Sequence, residues 1–145
     1  TSSRTLKRIC DFIRCNLRVI SLNAKVSIAS GQGQALLKFN LGNGRTQTVL
    51  LALRTVPGFS VVELKSRCRA ALNANAVRSG LKNNLLSPCG GFALDISSEP
   101  ATVDLVQRLI AINGEPDYSE FLHSLSSVVH RADAIEQTQS ESDQF

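Results

Sequence analysis

Three features of the sequence predict an α+β fold in the order α-βββ(β)-α-ββ-α. Apolar residues recur at helical spacing near both ends, alternating apolar residues fill the middle, and tight-turn sequences separate the alternating runs. The expected architecture is a mostly antiparallel, twisted sheet covered by helices on one face.

Each element has its own signal. Leu6, Ile9, Cys10, Ile13 and Leu17 share one side of an N-terminal helix, opposite Arg4, Lys7, Arg8, Arg14 and Arg18. The period then changes to two, with Leu22, Ala24, Val26 and Ile28 alternating with polar residues as a first strand. Gly31-Gln32-Gly33 turns the chain into a second strand carrying Ala35, Leu37, Phe39 and Leu41. Gly42-Asn43-Gly44 is a hairpin signal, since these residues tolerate the positive φ of a tight turn. Thr46 to Thr55 follows, apolar on both sides around Val49-Leu50-Leu51, the pattern of a central strand covered on both faces. Pro57-Gly58 breaks it, and Phe59 to Leu64 reads as a fourth strand, with helix and strand competing over 60–68. A helix is expected over about 69–82, ending near Gly80.

Gly90-Gly91 opens a fifth strand with Phe92, Leu94 and Ile96 on one side, and Ser97-Ser98-Glu99-Pro100 turns it into a sixth over Thr102 to Ile112. Asn113-Gly114 ends that strand, and Asp117-x-x-Glu120 reads as a capping box. The last helix is the clearest element: Phe121, Leu122, Leu125, Val128, Val129, Ala132 and Ile135 form a broad apolar arc. One domain is expected over 1–137, with a disordered polar tail at 138–145.

With 145 residues, the chain has enough length for a single core without disulfide or metal staples. Its 43% hydrophobic and 19% charged content excludes wholesale disorder, and no apolar run reads as a membrane span. The start lacks the apolar segment of a secretory signal, so a cytoplasmic protein is expected. The absence of Met points to a processed or trimmed start, with an organelle reached through a removed transit peptide as the alternative. Charge is uneven. Residues 1–90 hold 14 Lys/Arg against Asp11 and Glu63, a net of +12, whereas residues 91–145 hold Arg108 and Arg131 against ten Asp/Glu, a net of −8. Either the acidic part folds against the basic part, or the basic part meets an acidic partner.

Residues with the types and spacing that carry chemistry are few. Cys10, Cys15, Cys68 and Cys89 include no C-x-x-C pair and no ligand-spaced His, which favours reduced thiols over a zinc site. His123 and His130 fall opposite the apolar arc of the last helix, about 10 Å apart at a rise of ~1.5 Å per residue, too far to share a metal. Gly31-x-Gly33 lacks the third glycine of a dinucleotide loop and is followed by a strand in place of a helix. Glu63 and Asp95 are the one carboxylate pair that a sheet brings near each other on paper. Aromatic residues that stack bases are few, and Phe39 faces the core by alternation. No catalytic residue, metal site or cofactor is therefore assigned.

The stretch GGFALDISS…TVDLVQRLIAI…DYSEFLHSLSSVVHRADAIEQ resembles the C-terminal half of YbjN-like proteins and type III secretion chaperones of the CesT type. The resemblance lies in a strand pair followed by a helix ending in Ala132-Asp133-Ala134-Ile135-Glu136, with GRTQTVLLAL similar to the third strand and ALNAN to a short second helix. It covers roughly residues 5–137 and implies a type III secretion chaperone-like fold and a homodimeric, non-enzymatic protein that binds a polypeptide segment of a partner, without cofactor. Such chaperones are typically acidic, whereas residues 1–90 here are basic. The alternative is an electrostatic binder of nucleic acid or anionic membrane through the N-terminal helix, and Arg4, Lys7, Arg8, Arg14 and Arg18 are the candidate partner-binding residues.

Overall fold

A computed structural model describes residues 2–16, 26–31, 33–42, 44–70, 91–95, 102–113 and 115–139. Their elements are α1 (Ser2–Cys15), β1 (Val26–Gly31), β2 (Gln34–Gly42), β3 (Arg45–Val56), β4 (Phe59–Ala70), β5 (Gly91–Asp95), β6 (Thr102–Ala111) and α2 (Tyr118–Gln139). The strands form one six-stranded sheet in the order β1-β2-β3-β4-β6-β5, antiparallel at every pairing. The fold is α+β.

Two-residue connections build the meander. Gly31 pairs with Gln34, Gly42 with Arg45 and Val56 with Phe59. Pro57 presets the third of these turns, and Gly58 supplies the φ of 91° that its second position requires. At the second turn Asn40 Oδ1 accepts the Gly42 N–H at 3.1 Å, beside a register shift between Asn40 and Gly42.

One face of the sheet carries both described helices. From the strands, Ala35, Leu37, Phe39, Val49, Leu51, Val62, Leu64, Leu105 and Leu109 are buried. From above come Leu6, Ile9, Cys10 and Ile13 of α1 and Phe121, Leu122, Leu125, Val128, Val129 and Ala132 of α2. Each such aliphatic side chain contributes about 1.5–3 kcal/mol by leaving water. Asp117 caps α2, its Oδ1 accepting the Glu120 N–H at 3.1 Å. At the other end of α1, Asn16 Nδ2 donates to the Phe12 carbonyl at 2.8 Å. On the covered face Gln47 Nε2 donates to Ser66 Oγ at 2.6 Å and Gln107 Nε2 to Ser124 Oγ at 2.7 Å, whereas the amide oxygens of both residues are buried without a hydrogen-bond partner among the described residues.

Several expectations need correction. Residues 60–68 are strand, and β4 runs on to Ala70, so residues 69 and 70, expected to open a helix, are strand; residues 71–82 lie outside the described residues. Glu63, Leu64 and Lys65 favour helix locally, but β4 pairs on both sides, with β3 and with β6, and that ladder prevails. At the C-terminus α2 continues through Gln139, into the tail expected to be disordered, because no Gly or Pro stops it and Glu136 is buried in its last turns. Residues 140–145, the turn at 97–100, Leu17, residues 22–25 and Cys89 lie outside the described residues. Among the described residues the double coverage expected of the third strand is not seen. No described helix packs on its second side, where Leu50 is only half-buried and its neighbour Leu36 is exposed.

Candidate functional site

The site is the face of the sheet that neither described helix covers, its helix-free face. Strand alternation places Leu36, Lys38 and Asn40 of β2 there, with Thr48, Leu50, Ala52 and Arg54 of β3. Pairing then adds Val61, Glu63, Lys65 and Arg67 of β4, and Asp104, Val106, Arg108 and Ile110 of β6. A hollow of about 400 Å³ on this face is lined by Leu36, Thr48, Leu50, Lys65 and Arg67. Its floor is aliphatic and its rim cationic.

Beside the hollow, Glu63 stands between two arginines. Arg108 Nε donates to Glu63 Oε2 at 2.9 Å, and Arg54 Nη2 donates to Oε1 at 3.2 Å. The glutamate side chain is only 6% exposed, whereas those of Arg54 and Arg108 are 54% and 65% exposed. Burial pushes the Glu63 carboxyl up, but hydrogen bonds from Arg108 and Arg54 outweigh it and hold the group below its ordinary value. Glu63 therefore stays ionised at neutral pH and fixes both guanidinium groups.

Four large apolar residues are exposed among those described: Leu36, Phe59, Ile110 and Ile112. The first three fall on the helix-free face by alternation, and Ile112 lies just past the end of β6, two residues beyond Ile110. Ile110 is 62% exposed.

The candidate residues of the N-terminal helix are placed differently. Arg4, Lys7, Arg8 and Arg14 are exposed on α1, while Arg18 lies outside the described residues. Arg8 Nη2 lies 2.6 Å from Glu115 Oε1, and Arg14 Nη1 lies 3.2 Å from Asp11 Oδ1. Glu115 also accepts the Tyr118 hydroxyl, and Tyr118 packs its ring on Phe12 with centroids 4.5 Å apart. Burial, then the Glu115 hydrogen bond and charge, push Tyr118 up to about 12. Arg8 is thus part of the joint that seats α1 against the start of α2.

His123 and His130 are exposed, as their place on the helix implied. Glu63 and Asp95 do not form a pair: Glu63 faces Arg108, whereas Asp95 faces Thr102, six residues away along β6. At ~3.3 Å per residue that is about 20 Å. Gly31 and Gly33 belong to the β1–β2 hairpin. Cys10, Cys15 and Cys68 are free thiols, and burial pushes Cys10 up, away from reactivity. Among the described residues no group of three or more His, Cys, Asp or Glu could hold a metal ion, and no helix is long and apolar enough to cross a membrane.

The acidic part does meet the basic part. Arg45 Nε and Nη2 both donate to Asp133 Oδ1, at 2.9 and 2.8 Å, with each side chain 15% exposed. Asp133 and the buried Glu136 are the acidic positions of the Ala132–Glu136 stretch, so at least Asp133 helps hold the last helix to the sheet.

Sequence reasoning missed Leu36, Arg54, Lys65, Arg67, Arg108 and Ile110 as site residues. On β2 the signal was available, since Leu36 and Lys38 oppose the core side. On β3 the continuous run Val49–Leu53 conceals which residues face outward, and only pairing reveals it. The chain matches no protein-family model and no curated protein.

Proposed function

We propose that this protein is a non-catalytic binding protein that receives a polypeptide segment of a partner on the helix-free face of its sheet. The observation that carries this reading is the concentration of exposed Leu36, Phe59 and Ile110, with Ile112 at the margin, on the one side that no described helix covers. Aliphatic side chains there suit a peptide's apolar residues, and the backbone of an extended peptide keeps its polar groups toward water. The resemblance of residues 5–137 to YbjN-like proteins and type III secretion chaperones supports the same chaperone-like or adaptor role. It also supports a homodimer.

Panning a random-peptide display library against the protein tests the proposal. Enriched peptides should bind the native protein and lose binding to a Leu36→Asp, Ile110→Asp variant that unfolds at the same denaturant concentration. Failure to enrich any peptide, or equal binding to the variant, would reject it.

A further inference from the structure

On the helix-free face, every exposed charge among the described side chains is a cation. Lys38, Arg54, Arg67 and Arg108 are exposed and Lys65 is half-buried, whereas the two carboxylates of this face, Glu63 and Asp104, are buried. Glu63 spends one oxygen on each arginine, through Nε of Arg108 and Nη2 of Arg54. A guanidinium has five N–H donors, so both arginines keep donors directed elsewhere, and neither has another hydrogen bond or ion pair among the described residues. Two cations around one buried anion leave a net positive charge, held by Glu63 and not by mobile side chains alone.

We infer that Arg54 and Arg108, set side by side by Glu63, receive a side-chain carboxylate from an extended polypeptide segment whose every second residue, along one side, is alternately apolar and acidic. This rests on the reading of the helix-free face as a polypeptide-binding surface. The strand register gives the pattern. Arg54, Val61 and Ile110 form one row across β3, β4 and β6; Ala52, Glu63 and Arg108 form the next; Leu50, Lys65 and Val106, with Leu36 of β2, form the third. Rows lie two residues apart, about 6.6 Å, which is also the spacing of same-side residues in an extended peptide. A segment lying along the strands can therefore set an apolar residue on Ile110 and Val61 and a carboxylate at the arginine pair. Its next same-side residue then reaches Leu36, Leu50 and Lys65.

Charge selects among occupants. A second copy presenting this same face would set cations against cations. Single-stranded nucleic acid would meet Leu36, Ile110 and Ile112, which stack no base, and Phe59 is the single described aromatic on this side. An acidic–apolar polypeptide satisfies both the charge and the aliphatic surface.

The test uses a labelled peptide alternating Ile and Glu between Ser spacers, the same peptide with Gln for Glu, and an oligo(dT) strand. Fluorescence anisotropy should show the Gln peptide binding about tenfold more weakly, the loss expected for charge-assisted hydrogen bonds at a partly exposed site. Arg54→Gln with Arg108→Gln should erase the difference between the peptides. Because that change strands the buried Glu63 charge, the triple variant that adds Glu63→Gln is measured beside it and should behave alike. Equal binding of both peptides, still weakened by Ile110→Ser, overturns the carboxylate site and leaves the polypeptide reading standing. No peptide binding beyond that of the Leu36→Asp, Ile110→Asp variant overturns both. Displacement of the acidic peptide by an equal concentration of oligo(dT) also overturns both, in favour of a nucleic-acid partner.

Discussion

Along β2, Ala35, Leu37 and Phe39 are buried beneath the helices, while Leu36, Lys38 and Asn40, each one residue away, are exposed. The same strand thus serves two surfaces with different physical duties. The covered face supplies burial and dispersion, and Gln47 enters it with its amide N–H donated to Ser66. On the helix-free face Leu36 and Ile110 are exposed, so little folding free energy rests on their burial. The basic side of α1 makes a second contrast. There Arg8 and Arg14 stand beside Glu115 and Asp11, so half of its four described cations are already engaged within the chain.

The largest expected effect separates the two faces of the sheet. Leu125 is fully buried in α2, and Leu125→Ala should lower unfolding stability by roughly 2–5 kcal/mol in a urea titration. Ile110→Ser, on the helix-free face, should stay within about 0.5 kcal/mol. Comparable losses would mean that the helix-free face is also core.

A smaller effect sharpens the role of Glu63. Its pKa is lowered in the folded chain, so its stabilising contribution is complete above its ordinary value of 4.5 and is lost as pH falls through the lowered folded value. Relative to Glu63→Gln, the native protein should therefore lose stability more steeply with acid below about 4.5. Parallel pH–stability curves for the two would show that the arginines do not hold the carboxylate in solution.

The smallest effect is expected at α1. Replacing Arg4, Lys7 and Arg8 together by Gln should change stability by no more than about 1 kcal/mol, since the one ion pair lost is surface-exposed. The same change should slow association with the acidic peptide modestly and leave its dissociation unaltered. A loss of affinity as large as that from Arg54→Gln with Arg108→Gln would move the binding site from the sheet to α1.

Local pattern and tertiary contact divided the work of specifying this molecule. The alternation of β2, the Gly42–Gly44 turn, the Asp117 cap and the apolar arc of α2 were readable because each depends on neighbours within a few residues, through strand period, turn φ and helical period. So was the exposure of His123 and His130, which follows from the same helical wheel. The length of β4 was not, because Glu63-Leu64-Lys65 accept either backbone state and the ladder to β6, some 45 residues away between Glu63 and Arg108, chooses for them. Nor could sequence show that Arg54 and Arg108 share one carboxylate, or that Arg45 reaches Asp133 across 88 residues. The residues alone determined the six strands, the two described helices and the opposite charge of the chain's two parts. Only the tertiary structure decided which side of the sheet the two described helices cover, because that depends on register and packing between segments that no local period connects.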